Sequence, residues 1–122
     1  MADAGRDDLK VETFELAPGI WELKIAGSLD GTKVGKVDAA IDQVFAKGTY
    51  TLVVNLKEMT YVSSDGLGCF ISSYVTSIKQ GGRMVFMGAS LDVREVFDLV
   101  GLTQILRFAD NEETALRHLR EK

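Results

Sequence analysis

Cysteine occurs once in the 122 residues, as Cys69, and histidine once, as His118. One cysteine excludes an intramolecular disulfide, and one Cys with one His falls short of the usual ligand set for structural zinc, so no metal is expected. Cys69 reads as a small buried packing residue rather than a redox sensor. No Lys/Arg cluster is present and the formal net charge is -4, which argues against a general nucleic-acid binder. The opening segment, residues 1–8, is short, polar and acidic; it has no apolar core of a signal peptide, and no run in the chain is long enough to span a bilayer. The expectation is a cytoplasmic protein with no membrane partner, whose residues 1–8 are a flexible N-terminus and whose residues 9–122 form the folded domain. Repeats, linkers and low-complexity segments are also missing.

Apolar residues make up 46% and charged residues 26%, with 12 Gly and 1 Pro, the composition of a chain that folds as one globular domain. Residues 9–16 read as a strand, Ala17-Pro18-Gly19 as a turn, and residues 20–26 as a second strand in which Trp21, Leu23 and Ile25 alternate with Glu22 and Lys24. Residues 27–32 read as a loop, with Asp30 or Thr32 capping a helix that carries Val34, Val37, Ile41, Val44 and Phe45 on one stripe and stops at Gly48. Residues 51–56 form a continuous apolar run, the mark of a central strand. From Leu67 the apolar positions Leu67, Phe70, Ile71, Tyr74, Val75 and Ile78 predict a helix ended by Gly81-Gly82. Residues 84–87 read as a buried strand, Ser90 as the cap of a helix bearing Val93, Val96 and Phe97, residues 104–108 as a last strand, and Asp110 with Glu113 as the capping box of a final helix. The order β-β-α-β-α-β-α-β-α predicts an α/β domain: one mixed, mostly parallel sheet of about five strands with about four helices and an N-terminal β-hairpin.

Between the central strand and the helix at Leu67 lies Met59-Thr60-Tyr61-Val62-Ser63-Ser64-Asp65-Gly66-Leu67-Gly68. Hydroxyls, a carboxylate and unpaired N–H donors at a helix start are the components of anion sites and phospho-switches. Ser and Asp are equally the preferred N-caps, a reading that requires no function. In a mostly parallel sheet, the loops at the carboxyl ends of the strands gather, which would bring the Asp30 loop and the turns after Leu56 and Met87 together.

Catalytic and cofactor motifs do not survive inspection. Gly31-Thr32-Lys33-Val34-Gly35-Lys36-Val37 has P-loop character, but the glycine spacing is short by one and Val37 replaces the hydroxyl that would hold magnesium. Residues 27–31 are Gly-rich without the dinucleotide fingerprint, so no cofactor is expected. A receiver-type acceptor site would need an Asp where Asn55 stands. Neither Ser63 nor Ser64 sits in a G-x-S-x-G elbow, and His118 lies among arginines on the polar terminal helix, where it reads as a solvated surface residue. No catalytic residue is expected, and the chain does not read as an enzyme.

The run Leu52-Val53-Val54-Asn55-Leu56, the motif from Met59 to Gly68, and Gly81-Gly82-Arg83-Met84-Val85 together resemble the STAS domain of bacterial anti-sigma-factor antagonists. Gly27-Ser28-Leu29-Asp30 and Val96-Phe97-Asp98-Leu99-Val100-Gly101-Leu102 are similar to further stretches of that family, so the resemblance covers nearly all of residues 9–120. It implies a STAS-like domain whose loop serine is phosphorylated by an anti-sigma factor with serine kinase activity and restored by a serine phosphatase. Unphosphorylated, such a protein captures the anti-sigma factor and thereby regulates transcription without touching DNA. Aligned on Gly66-Leu67-Gly68, the acceptor is Ser64, with Ser63 the alternative. Ser63 stands where an Asp is common, Asp65 follows the acceptor, and Asn55 also replaces a frequent Asp. The expected contact surface comprises Asp30, Met59, Tyr61, Ser63, Ser64, Asp65, Gly66 and Met87. The other reading is a scaffold or assembly subunit of a signalling complex, in which the serines only cap a helix and self-association is possible.

Overall fold

The computed structural model describes residues 9–120; the expectation for residues 1–8 lies outside the described residues. Strand β1 (Lys10–Ala17) turns at Pro18-Gly19, where Gly19 takes φ 79, and returns antiparallel as β2 (Ile20–Leu29). Helix α1 (Val34–Ala46) leads to β3 (Thr51–Val62), α2 (Ser64–Lys79) to β4 (Met84–Met87), and α3 (Leu91–Leu99) with a 3-10 turn (Leu102–Gln104) to β5 (Arg107–Ala109); α4 (Glu112–Arg120) closes the order. The sheet runs β1-β2-β3-β4-β5, with β2 through β5 parallel. The expected mixed sheet, helix number and hairpin are all present.

Three successive crossovers in one direction put α1, α2 and α3 on the same face, because such connections are right-handed. Packing agrees: Leu52, Val54 and Leu56 of β3 and Phe86 of β4 join Val37, Ile41, Phe70 and Phe97 in one core. Val53, Val85 and Met87 point the other way and meet Ala115 of α4. Phe70, Phe86, Phe97 and Phe108 form a ring cluster with centroids 5.2–6.1 Å apart, which pins α2 and α3 onto β4 and β5.

Five local expectations require correction. Both β2 and β3 are longer than their alternation suggests: Gly27-Ser28-Leu29 belongs to β2, and Met59 to Val62 belong to β3. The two strands extend together, Gly27 against Met59 and Leu29 against Val62, with register shifts that interrupt the period of two. Lys33, with no side-chain cap bond, occupies the N-cap of α1; Asp30 instead accepts bonds from Thr32 within its own loop. The last strand begins at Arg107, after the 3-10 turn, and α4 is capped by Asn111, whose Oδ1 accepts the Thr114 N–H at 2.8 Å.

The buried face of α2 also differs from its apolar stripe. Leu67 and Phe70 are buried together with Gly66, Cys69, Ser73 and Ser77, whereas Ile71, Val75 and Ile78 face solvent. Small residues let the helix lie close to the main chain beneath it. The Ser77 hydroxyl donates to the Tyr50 carbonyl at 2.7 Å and the Ser73 hydroxyl to the Cys69 carbonyl at 2.9 Å, so neither buried hydroxyl is left unpaired.

Candidate functional site

The paired ends of β2 and β3 carry the site. Leu29 and Val62 are register partners, and the Ser63 N–H donates to the Leu29 carbonyl at 2.9 Å, so the chain leaves the sheet and enters α2 within one residue. Ser63 is extended (φ -88, ψ 172) and serves as N-cap: its hydroxyl oxygen accepts the Gly66 N–H at 3.2 Å. Ser64 is the first helical residue; it is exposed, and its hydroxyl makes no hydrogen bond among the described residues.

Gly66 is buried under this turn. A Cβ there would stand 2.8 Å from Val62 Cγ2 and 3.0 Å from Leu29 Cδ2, so the close seating of α2 on the strand ends depends on its absence. A Cβ on Gly31, in the neighbouring loop, would meet the exposed Asp65 carboxylate and make it swing aside. The Asp30 loop and the start of α2 are therefore in contact through Gly31 and Asp65. In the sequence Gly31 reads as part of a plain turn, and only the folded contact shows its place beside Asp65.

Asp30 accepts the Thr32 hydroxyl at 2.6 Å and the Thr32 N–H at 2.9 Å, and Lys33 Nζ lies 3.8 Å from its other oxygen. These bonds, the Thr32 hydroxyl first, hold its carboxyl below the usual carboxylate range, and the nearby Lys33 charge acts in the same direction. Tyr61, half exposed on β3 opposite Ser28, stands on the same end of the sheet. Asp30, Tyr61, Ser63, Ser64 and Asp65 thus lie at the same end of the sheet, with Gly66 buried beneath the turn.

Met59 and Met87 do not join it. Met59 is buried in the core beneath α1 to α3, and Met87 in the second core against α4. Met87 is level with Asn55, and β3 runs on for a further seven residues, so the Ser64 turn lies roughly 20 Å beyond it at about 3.3 Å per residue.

His118 is half-buried rather than solvated, and its Nδ1 is enclosed without a hydrogen-bond partner among the described residues. It lines a cavity of about 490 Å³ with Gly81, Gly82 and Arg83, at the amino end of β4 and so at the far end of the sheet from Ser64. Ser64 consequently has no imidazole base in reach, and the turn presents an accessible hydroxyl rather than a nucleophile with its base. Among the described residues no three His, Cys, Asp or Glu side chains are grouped to hold a metal, and no helix is long and apolar enough to cross a membrane.

Residues 13–115 match the family model of the STAS domain. Over 106 residues the chain is 26% identical to an anti-sigma-B factor antagonist of Staphylococcus epidermidis, an alignment that covers 87% of this chain and 97% of that protein. Its fold is similar to the crystal structure of an anti-sigma factor antagonist from Mycobacterium paratuberculosis, with TM-score 0.84, 21% identity and coverage of 94% and 97% of the two chains. It is also similar to the Bacillus cell fate determinant SpoIIAA in its phosphorylated form, with TM-score 0.69, 23% identity and coverage of 93% and 100%.

Proposed function

The chain belongs to the STAS domain family, and we propose that it acts as an anti-sigma-factor antagonist switched by phosphorylation of Ser64. The observation that carries this reading is the division of labour between the two serines: Ser63 is committed as the helix cap, while Ser64 offers an exposed, unbonded hydroxyl. Support comes from relatives of nearly equal length named anti-sigma-B factor antagonist, and from SpoIIAA, which is known in a phosphorylated form.

Unphosphorylated, the surface of Asp30, Tyr61, Ser63, Ser64 and Asp65 docks on an anti-sigma factor that is also a serine kinase, so that a sigma factor is released. The kinase transfers the γ-phosphoryl group of ATP to Ser64 Oγ; the hydroxyl proton passes to the kinase's base and ADP leaves. A serine phosphatase hydrolyses the ester and restores the hydroxyl. Regulation is indirect, in the cytoplasm, and the domain itself supplies binding rather than catalysis.

A phosphate adds about -1.5 to -2 charges at neutral pH. At the first turn of α2 the helix dipole offsets it by roughly 0.3–1 kcal/mol, so the free domain tolerates the group. Against a docked partner the same charge is desolvated, and an unpaired buried charge costs several kcal/mol. The test is affinity purification from the native cell with Ser64→Ala as bait. Recovery of an ATP-binding serine kinase bound to a sigma factor supports the reading; recovery of no such kinase contradicts it.

A further inference from the structure

The outer face of α2 is unlike that of every other helix in the domain. From Gly66 to Ile78 it contains no charged residue, although 26% of the chain is charged. The exposed faces of the others are set with charge: Lys36, Asp38 and Asp42 on α1, Asp92, Arg94 and Glu95 on α3, Glu112, Glu113 and Arg117 on α4. On α2 the exposed positions include Ile71, Val75 and Ile78, which are 40%, 44% and 48% accessible. Apolar surface of this kind, depleted of charge, is the composition of an interface centre rather than of a solvated helix.

The stripe is in register with the acceptor serine. Ser64, Gly68, Ile71, Val75 and Ile78 follow one another at intervals of four, three, four and three, which places all five on one line along the helix. At 1.5 Å per residue that line runs about 21 Å from the Ser64 hydroxyl. Gly68 has nothing within 4 Å of where a Cβ would stand, so another surface can approach the backbone between Ser64 and Ile71.

We propose that the partner that reads Ser64 also grips this line, with an uncharged apolar groove about 20 Å long that receives Ile71, Val75 and Ile78. The inference rests on the reading of Ser64 given above and extends its contact surface along the helix. Three half-exposed aliphatic side chains supply only a fraction of the roughly 800 Å² per partner of a standard interface, so the stripe is too small to hold a second copy of the chain by itself. Joined to the Ser64 surface, it sets the helix at a fixed angle to the kinase and delivers the hydroxyl at its end.

The test titrates the full chain against its cognate anti-sigma factor and measures Kd for wild type, Val75→Glu, Ile71→Gln and, as a control on the solvent face of α1, Gln43→Glu. Thermal melting of each variant and sedimentation of the chain alone accompany it. Val75→Glu is expected to weaken binding at least ten-fold and Ile71→Gln about three-fold, with melting unchanged and Gln43→Glu within two-fold of wild type. Unchanged Kd in both stripe variants overturns the inference and leaves the Ser64 reading intact. A ten-fold loss in Val75→Glu with no kinase action on Ser64 supports the stripe and overturns the phospho-switch. A dimer of the free chain that Val75→Glu dissociates, with the anti-sigma factor still bound at wild-type Kd, shows that a second copy covers the stripe and overturns the proposal. Absence of any wild-type binding overturns both.

Discussion

The Asn55 side-chain amide donates to the Glu22 carboxylate at 2.9 Å while its oxygen accepts the Lys57 N–H at 2.9 Å. Glu22 is only 3% exposed, although strict alternation along β2 places it on a solvent face. Its carboxylate is tolerated because the neighbouring central strand offers an amide in place of the Asp frequent at that position in the family. An Asp at 55 would set two carboxylates at hydrogen-bond distance.

Asn55→Asp is therefore expected to destabilise the domain at neutral pH by about 1–3 kcal/mol, the cost of a buried polar group that has lost its partner. Chemical denaturation of both proteins at pH 7 measures it, and equal stability of the two would contradict the pairing.

The two serines should separate in stability as well as in function. Ser63→Ala removes the acceptor of the Gly66 N–H and should cost about 0.5–2 kcal/mol, the usual value of an N-cap. Ser64→Ala removes no hydrogen bond among the described residues and should leave stability within about 0.5 kcal/mol of wild type.

Two glycines of the motif behave oppositely. In Gly66→Ala the added methyl meets Val62 and Leu29 at 2.8–3.1 Å, and overpacking of this kind costs roughly 1–3 kcal/mol. In Gly68→Ala the methyl enters open space on a helix, where alanine is favoured by about 0.5–1 kcal/mol. Thermal melting should fall for the first and rise for the second.

Cys69 should be inert at neutral pH. Burial first, and then the hydrogen bond its thiol donates to Asp38 at 2.9 Å, pushes its pKa from 9.0 up to about 12. Its thiolate fraction at pH 8 is on the order of a thousand-fold below that of an unperturbed thiol, and alkylation of the native protein should be much slower than that of the unfolded chain. Because the folded value lies above the unfolded one, the thiol's contribution to stability is fully present below about pH 9 and is lost as pH rises from there through about 12. Cys69→Ala should lack that alkaline decline.

How much of this was legible beforehand depended on whether one periodicity acted alone. The hairpin at Pro18-Gly19 and the cap at Ser90, which accepts the Val93 N–H at 3.2 Å, follow from local chemistry and are where the sequence puts them. The ends of β2 and β3 were not legible, because two exposed residues in a row, Lys57 and Glu58, break the alternation where the strands bulge against each other. Face assignment on α2 failed for a different reason. Apolar spacing reports a stripe, but Ser73 and Ser77 took the inside by bonding the main chain, which left Ile71, Val75 and Ile78 outside. The start of α2 at Ser63 and Ser64 could be read from the motif; the burial of Met59 and Met87 could not, because a methionine in a strand suits a core and an interface equally.

The central claim is that phosphate on Ser64 releases the partner without unfolding the domain. Its most direct measurement sets Kd for the anti-sigma factor beside melting temperature for wild type, Ser64→Ala, Ser64→Asp and the kinase-treated protein, with the modified residue located by mass spectrometry. The account predicts modification at Ser64, a loss of affinity of about a hundred-fold or more with melting nearly unchanged, a partial loss in Ser64→Asp, and full binding without modification in Ser64→Ala. Modification of Ser63 with Ser64 spared, or an affinity loss no greater than a matching loss of fold stability, would contradict it.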